Sequence, residues 1–77
     1  MIVFKEKGIT HLDLHGEKHE FVSELVIDFV YRYQDYFPLI IICGNSNRMI
    51  EVVEESLLKF SIMFSMPRFG IIRIEKI

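Results

Sequence analysis

The chain has a single cysteine, no surplus of positive charge and no long apolar run. Cys43 has no second cysteine to pair with, so a disulfide within the chain is excluded, and a lone thiol fits a reducing compartment. Nine Lys and Arg stand against eleven Asp and Glu, a net charge of −2. General affinity for polyanions rests on clustered Lys and Arg, so any contact with nucleic acid has to be local. No apolar stretch approaches the roughly 18 residues that span a bilayer. The opening MIVFKEKG lacks the apolar core of a signal peptide. A cytoplasmic location and no membrane partner are the expectation. No repeat, linker or low-complexity segment interrupts the sequence.

What is present is apolar and patterned. Seventy-seven residues make one domain, 1–77, and 51% of them are hydrophobic. A chain of this size buries roughly 60% of the surface it exposes unfolded, so a core forms and some apolar surface stays outside. That surplus hints at a partner or at weak self-association, which leaves the oligomeric expectation at monomer or weak homodimer.

Residues 1–8 alternate Ile2 and Phe4 before Lys5-Glu6-Lys7-Gly8, the pattern of a short edge strand and a turn. Residues 9–14 read as the first firm strand, with Leu12 and Leu14 inward and Asp13 and His15 on the other face. Gly16 ends it. Residues 17–34 read as a helix, with Phe21, Val22, Leu25, Val26, Phe29, Val30 and Tyr33 on one stripe. Asp28 and Arg32 are spaced as an i, i+4 ion pair. Pro38 bars continuation. Leu39 to Cys43 is an unbroken apolar run, suited to a central strand. Gly44-Asn45-Ser46-Asn47 is turn chemistry, with Ser46 or Asn47 as the cap of a second helix over about 48–60. Its inner side is predicted to hold Met49, Val52, Val53, Ser56, Leu57 and Phe60, and its solvent side Glu51, Glu54 and Glu55. Residues 62–66 and 71–76 alternate around Pro67-Arg68-Phe69-Gly70 and form a hairpin. The fold class is therefore α/β: a β-α-β-α-β-β two-layer sandwich with a mixed four-stranded sheet, two helices and room for an N-terminal edge strand. The strands at 9–14, 39–43 and 62–66 run parallel and the last is antiparallel.

In such a sheet, ligands favour the rim where parallel strands end. That rim receives Asp13, His15 and Gly16 from one strand, and Cys43 to Arg48 from the next. A carboxylate and an imidazole are the groups of general acid–base work. The loop 44–48 opens a helix, whose free N–H groups and dipole suit a phosphate, with Arg48 as a charged fork. Gly44, Asn45, Ser46, Asn47 and Arg48 are thus candidate phosphate ligands, and Asp13 and His15 candidate catalytic groups. The bland alternative for Asp13 is that it accepts backbone N–H groups that fix the turn at Gly16. Cys43 reads as a small buried group rather than a nucleophile. His11, Asp13 and His15 give at most three ligands on one face, short of a structural zinc site.

The string Leu12-Asp13-Leu14-His15-Gly16, followed by an amphipathic helix, an apolar strand ending in a glycine loop and a second helix, resembles the Smr (small MutS-related) domain over about Ile9 to Ile77. The resemblance implies a two-layer α/β fold, similar to the C-terminal domain of a bacterial translation initiation factor. It implies action on nucleic acid: endonuclease cleavage of DNA or RNA, a hydrolase activity, with the ribosome as a further partner. It ties that activity to Asp13 and His15. The family's second motif, His-Gly-x-Gly, corresponds here to Cys43-Gly44-Asn45-Ser46, with Arg48 where a further glycine stands. A divalent ion such as magnesium or manganese is the cofactor such chemistry would take, with Asp13 either binding that ion or orienting His15. The altered glycine loop keeps a second function open: a module of the same fold that binds nucleic acid, a ribosome or a protein without cleaving. A third is a protein-interaction domain that uses the apolar surplus alone.

Overall fold

The computed structural model describes residues 2–77; Met1, which the sequence places with the first strand, lies outside them. The elements run β1 (Ile2–Glu6), β2 (Ile9–Asp13), α1 (His19–Arg32), a short 3-10 turn (Gln34–Tyr36), β3 (Leu39–Ile42), α2 (Asn47–Lys59), β4 (Met63–Arg68) and β5 (Ile71–Lys76). The five strands form one mixed sheet in the order β1-β2-β3-β5-β4. The α/β class, the two helices and the mixed sheet are as the sequence implies, and the N-terminal edge strand is present as β1.

β2 and β3 pair in parallel, with Leu12 opposite Ile41 and Asp13 opposite Ile42. β1 lies antiparallel to β2, and β5 antiparallel to both β3 and β4. β2, β3 and β4 therefore point the same way. β4 does not neighbour β3, however: β5 is inserted between them and β4 lies at the edge.

Alternation along each strand decides which side chains meet the helices. Thr10, Leu12, Leu39, Ile41, Ile72 and Ile74 are buried, with Leu14 just past the end of β2. Val22, Val26, Phe29 and Val30 of α1 and Met49, Ile50, Val53 and Leu57 of α2 close over them. Two aromatic residues assigned to these stripes lie outside: Phe21 and Phe60 are exposed. The buried stripe of α1 is narrower than the sequence pattern, and Phe60 comes after the last residue of α2. Ile50 takes the second helix's extra inward place. Glu54, assigned to solvent, is half-buried.

The two helices are joined by a side-chain bridge. The Ser56 hydroxyl lies 2.8 Å from the Val52 carbonyl oxygen and 2.9 Å from the Ser23 hydroxyl. A hydroxyl has one proton, so Ser56 donates to Val52 and accepts from Ser23. Among the described residues, no helix lies on the opposite face of the sheet. Ile40, Ile42 and Ile71 are half-buried there, beside Phe4 and His11, whose rings stack at 4.9 Å.

Candidate functional site

The parallel pairing of β2 and β3 brings the two candidate loops to one rim. Asp13 is the last residue of β2 and pairs with Ile42, the last of β3. Beyond them the Leu14 N–H still donates to the Ile42 carbonyl at 3.0 Å. Both chains then leave the sheet, one toward α1 and one toward α2, so the positive ends of both helix dipoles lie at this rim.

His15 is outside the strand. β2 stops at Asp13, and His15 and Gly16 form a turn in which Glu17 N–H donates to the Leu14 carbonyl at 3.0 Å. The shared strand face of His11, Asp13 and His15 is therefore not built. His11 donates its Nδ1 proton to the Ile9 carbonyl at 2.8 Å. The Asp13 carboxylate accepts the His15 backbone N–H at 2.9 Å. Asp13 thus holds the turn that carries the imidazole, and the imidazole itself is exposed.

In the second loop, Gly44 adopts φ +72, which lets the chain turn sharply out of β3. Ser46 is the N-cap of α2, its hydroxyl accepting the Met49 N–H at 3.1 Å. One of the helix's free donors is thereby used, while Asn45 and Asn47 stay exposed. Arg48 is exposed and lies 3.4 Å from the Glu51 carboxylate, lining a groove between α1 and α2 with His19, Glu20 and Glu55. Its guanidinium is shared between that ion pair and any ligand.

Cys43 is buried, and burial, followed by the charge of Glu54, pushes its thiol from 9.0 up to about 11. A thiol held protonated is not a nucleophile at neutral pH. For a divalent ion the donor set falls short. No group of three His, Cys, Asp or Glu among the described residues could hold a metal, and one oxygen of Asp13 is engaged by His15. A site held by protein groups alone is therefore not built, and Asp13 could share a hydrated magnesium or manganese ion only together with a substrate phosphate.

The rim has a third contributor, the turn between β4 and β5, whose residue types signal no more than a turn. β4 runs parallel to β2 and β3, so its C-terminal end, with Arg68 and Phe69, returns to the same edge. The Cys43 N–H donates to the Gly70 carbonyl at 2.7 Å, which ties the hairpin turn to the glycine loop. The findable signal was direction: a strand parallel to the other two must end where they end.

No family model, no curated protein and no solved structure matches the chain. No helix among the described residues is long and apolar enough to cross a membrane.

Proposed function

We propose that this chain is an Smr-like nucleic-acid-binding domain whose rim carries out endonuclease cleavage. The supporting observation is the parallel pairing of Asp13 with Ile42, which sets the acid–imidazole turn beside the loop that opens α2. A phosphate bound at loop 44–48 would receive backbone N–H groups and the helix dipole. His15 then removes the proton from an attacking hydroxyl or water as the new phosphorus–oxygen bond forms, and returns a proton to the leaving oxygen. Asp13 is a positioning residue: its carboxylate fixes the backbone at His15.

One observation favours the second reading, binding without cleavage. Ser46 stands where the Smr motif has glycine, and its hydroxyl occupies a donor at the helix start. A nicking assay on plasmid DNA and structured RNA separates the two. It compares wild type with Asp13→Asn/His15→Ala, in magnesium, in manganese and in chelator. Cleavage by the wild type alone supports the enzyme. Binding without cleavage supports the module, and equal cleavage by both proteins removes the catalytic assignment.

A further inference from the structure

We infer that the β4–β5 turn, through Phe69 and Arg68, is the docking point for an unpaired base and its phosphate, making the rim selective for single-stranded nucleic acid. The inference rests on the nucleic-acid reading above and names its substrate class.

Three observations carry it. First, the turn is fixed against the glycine loop. Gly70 is buried with φ +81, and a Cβ placed on it would overlap the Gly44 carbonyl oxygen. Phe69 and Arg68 therefore stand at a set position beside loop 44–48. Second, Phe69 keeps 55% of its surface exposed in that fixed turn. Its ring is exposed in a turn whose backbone is tied to the glycine loop through Cys43 and Gly70. Third, Arg68 is the uncommitted arginine. Arg32 pairs with Asp28, Arg48 with Glu51 and Arg73 with Glu75. Arg68 has no ion pair among the described residues and is exposed.

Arg68 borders the open face of the sheet with His11, Ile42 and Ile71, and an exposed ring next in sequence to an arginine without an ion pair fits a nucleotide whose base has left its stack. Bases inside a duplex are already stacked and present no face, whereas unpaired bases stack on aromatic side chains and bring their phosphates within reach of arginine. The charge layout points the same way. Tracking a duplex needs many free cations, but the chain is net negative. Glu51 and Glu55 also line the exposed side of α2, where a second backbone would be repelled. Stacking supplies affinity without that charge.

The chain has no tryptophan, so Phe69→Trp installs a single fluorescent reporter. The probes are fluorescein-labelled strands of about twelve nucleotides, as RNA and as DNA, each also annealed to its complement and each also made abasic. The expected results are tighter binding of single strands than duplexes, and loss of about tenfold in affinity for base-bearing strands in Phe69→Ala. Abasic strands should bind wild type and Phe69→Ala alike. Tryptophan emission in Phe69→Trp should be quenched by base-bearing strands only. Arg68→Ala should lower the slope of log affinity against log salt by about one. Equal single-strand affinity of wild type and Phe69→Ala, with no quenching, overturns the inference while leaving nucleic-acid binding in place. Equal affinity for duplex and single strand also overturns it. Failure of wild type to bind any probe removes both readings. The RNA and DNA arms identify which strand is taken.

Discussion

Gly70 rests on Gly44: the Gly44 carbonyl oxygen occupies the space where any side chain on Gly70 would begin. Gly70→Ala therefore meets both a left-handed backbone and a steric overlap with main chain. Gly44 has φ +72 but open space around it, so Gly44→Ala carries only the backbone cost, about 1–2 kcal/mol. Gly70→Ala is expected to exceed about 3 kcal/mol. Thermal unfolding of the two variants should show the larger fall in Tm for Gly70→Ala, by roughly 10 °C or more relative to Gly44→Ala.

The buried thiol predicts a loss of stability in alkali. Cys43 has its pKa raised from 9.0 to about 11 in the folded chain, so the unfolded chain gives up this proton first. The folded state is favoured fully below pH 9, and the advantage is lost as pH climbs through 11. Two units correspond to roughly 2 to 3 kcal/mol. Urea unfolding of wild type and Cys43→Ala from pH 8 to 11 should show the wild type losing about that much relative to the variant. Parallel curves would contradict it. Thiol-alkylating reagents should also react with the native protein at neutral pH far more slowly than with the unfolded chain.

Asp13 and His15 should separate in their effects on folding and on chemistry. Asp13→Ala removes the acceptor for the His15 N–H and should cost about 1 kcal/mol. Asp13→Asn keeps an oxygen in place and should cost less. His15→Ala removes an exposed side chain and should leave Tm within about 2 °C. On the proposed mechanism His15→Ala abolishes cleavage even so. Cleavage that persists in folded His15→Ala would assign the chemistry to another group.

Ser46 offers a test of the glycine loop. Its hydroxyl caps α2, so Ser46→Ala should lose about 1 kcal/mol, while Ser46→Gly should lose only a few tenths. Ser46→Gly also releases the Met49 N–H and clears a side chain from the loop. Tighter strand binding, or faster cleavage, is expected for Ser46→Gly and not for Ser46→Ala. Both are read by fluorescence anisotropy and by the nicking assay.

Much of the architecture was legible because local patterns and long-range packing agree. Leu12 and Leu14 alternate and are fully buried, Ser46, one of the two cap candidates, caps α2, and Asp28 and Arg32 pair at 3.3 Å. The misplacements have separate causes. Phe21 fits a helical period, but a period does not reveal how wide a stripe the neighbouring layer covers, and Phe60 falls past the end of α2. The position of β5 was illegible because strand order follows from pairing across the chain, and alternation is the same for an edge strand and an inner one. His15 left the strand because the Asp13 carboxylate turned back to its own backbone, a local competition that residue type permits but does not announce. The rim role of Arg68 and Phe69 follows from the direction of β4, which the parallel run of 62–66 already implies; what the turn residues do not announce is that Gly70 packs on Gly44.

The insertion of β5 between β3 and β4 also bears on the order of events in folding. β4 is made before β5, yet it has no seat in the sheet until β5 arrives to hold it, because among the described residues its strand partner is β5 alone. Until residues 71–76 have emerged, β3 keeps a bare hydrogen-bonding edge and Ile41 lacks its neighbour Ile72. The nascent β1-β2-β3 sheet is thus a template open to the wrong strand. The hairpin reaches β3 only across the whole of α2 in sequence, a non-local pairing of the kind that slows folding.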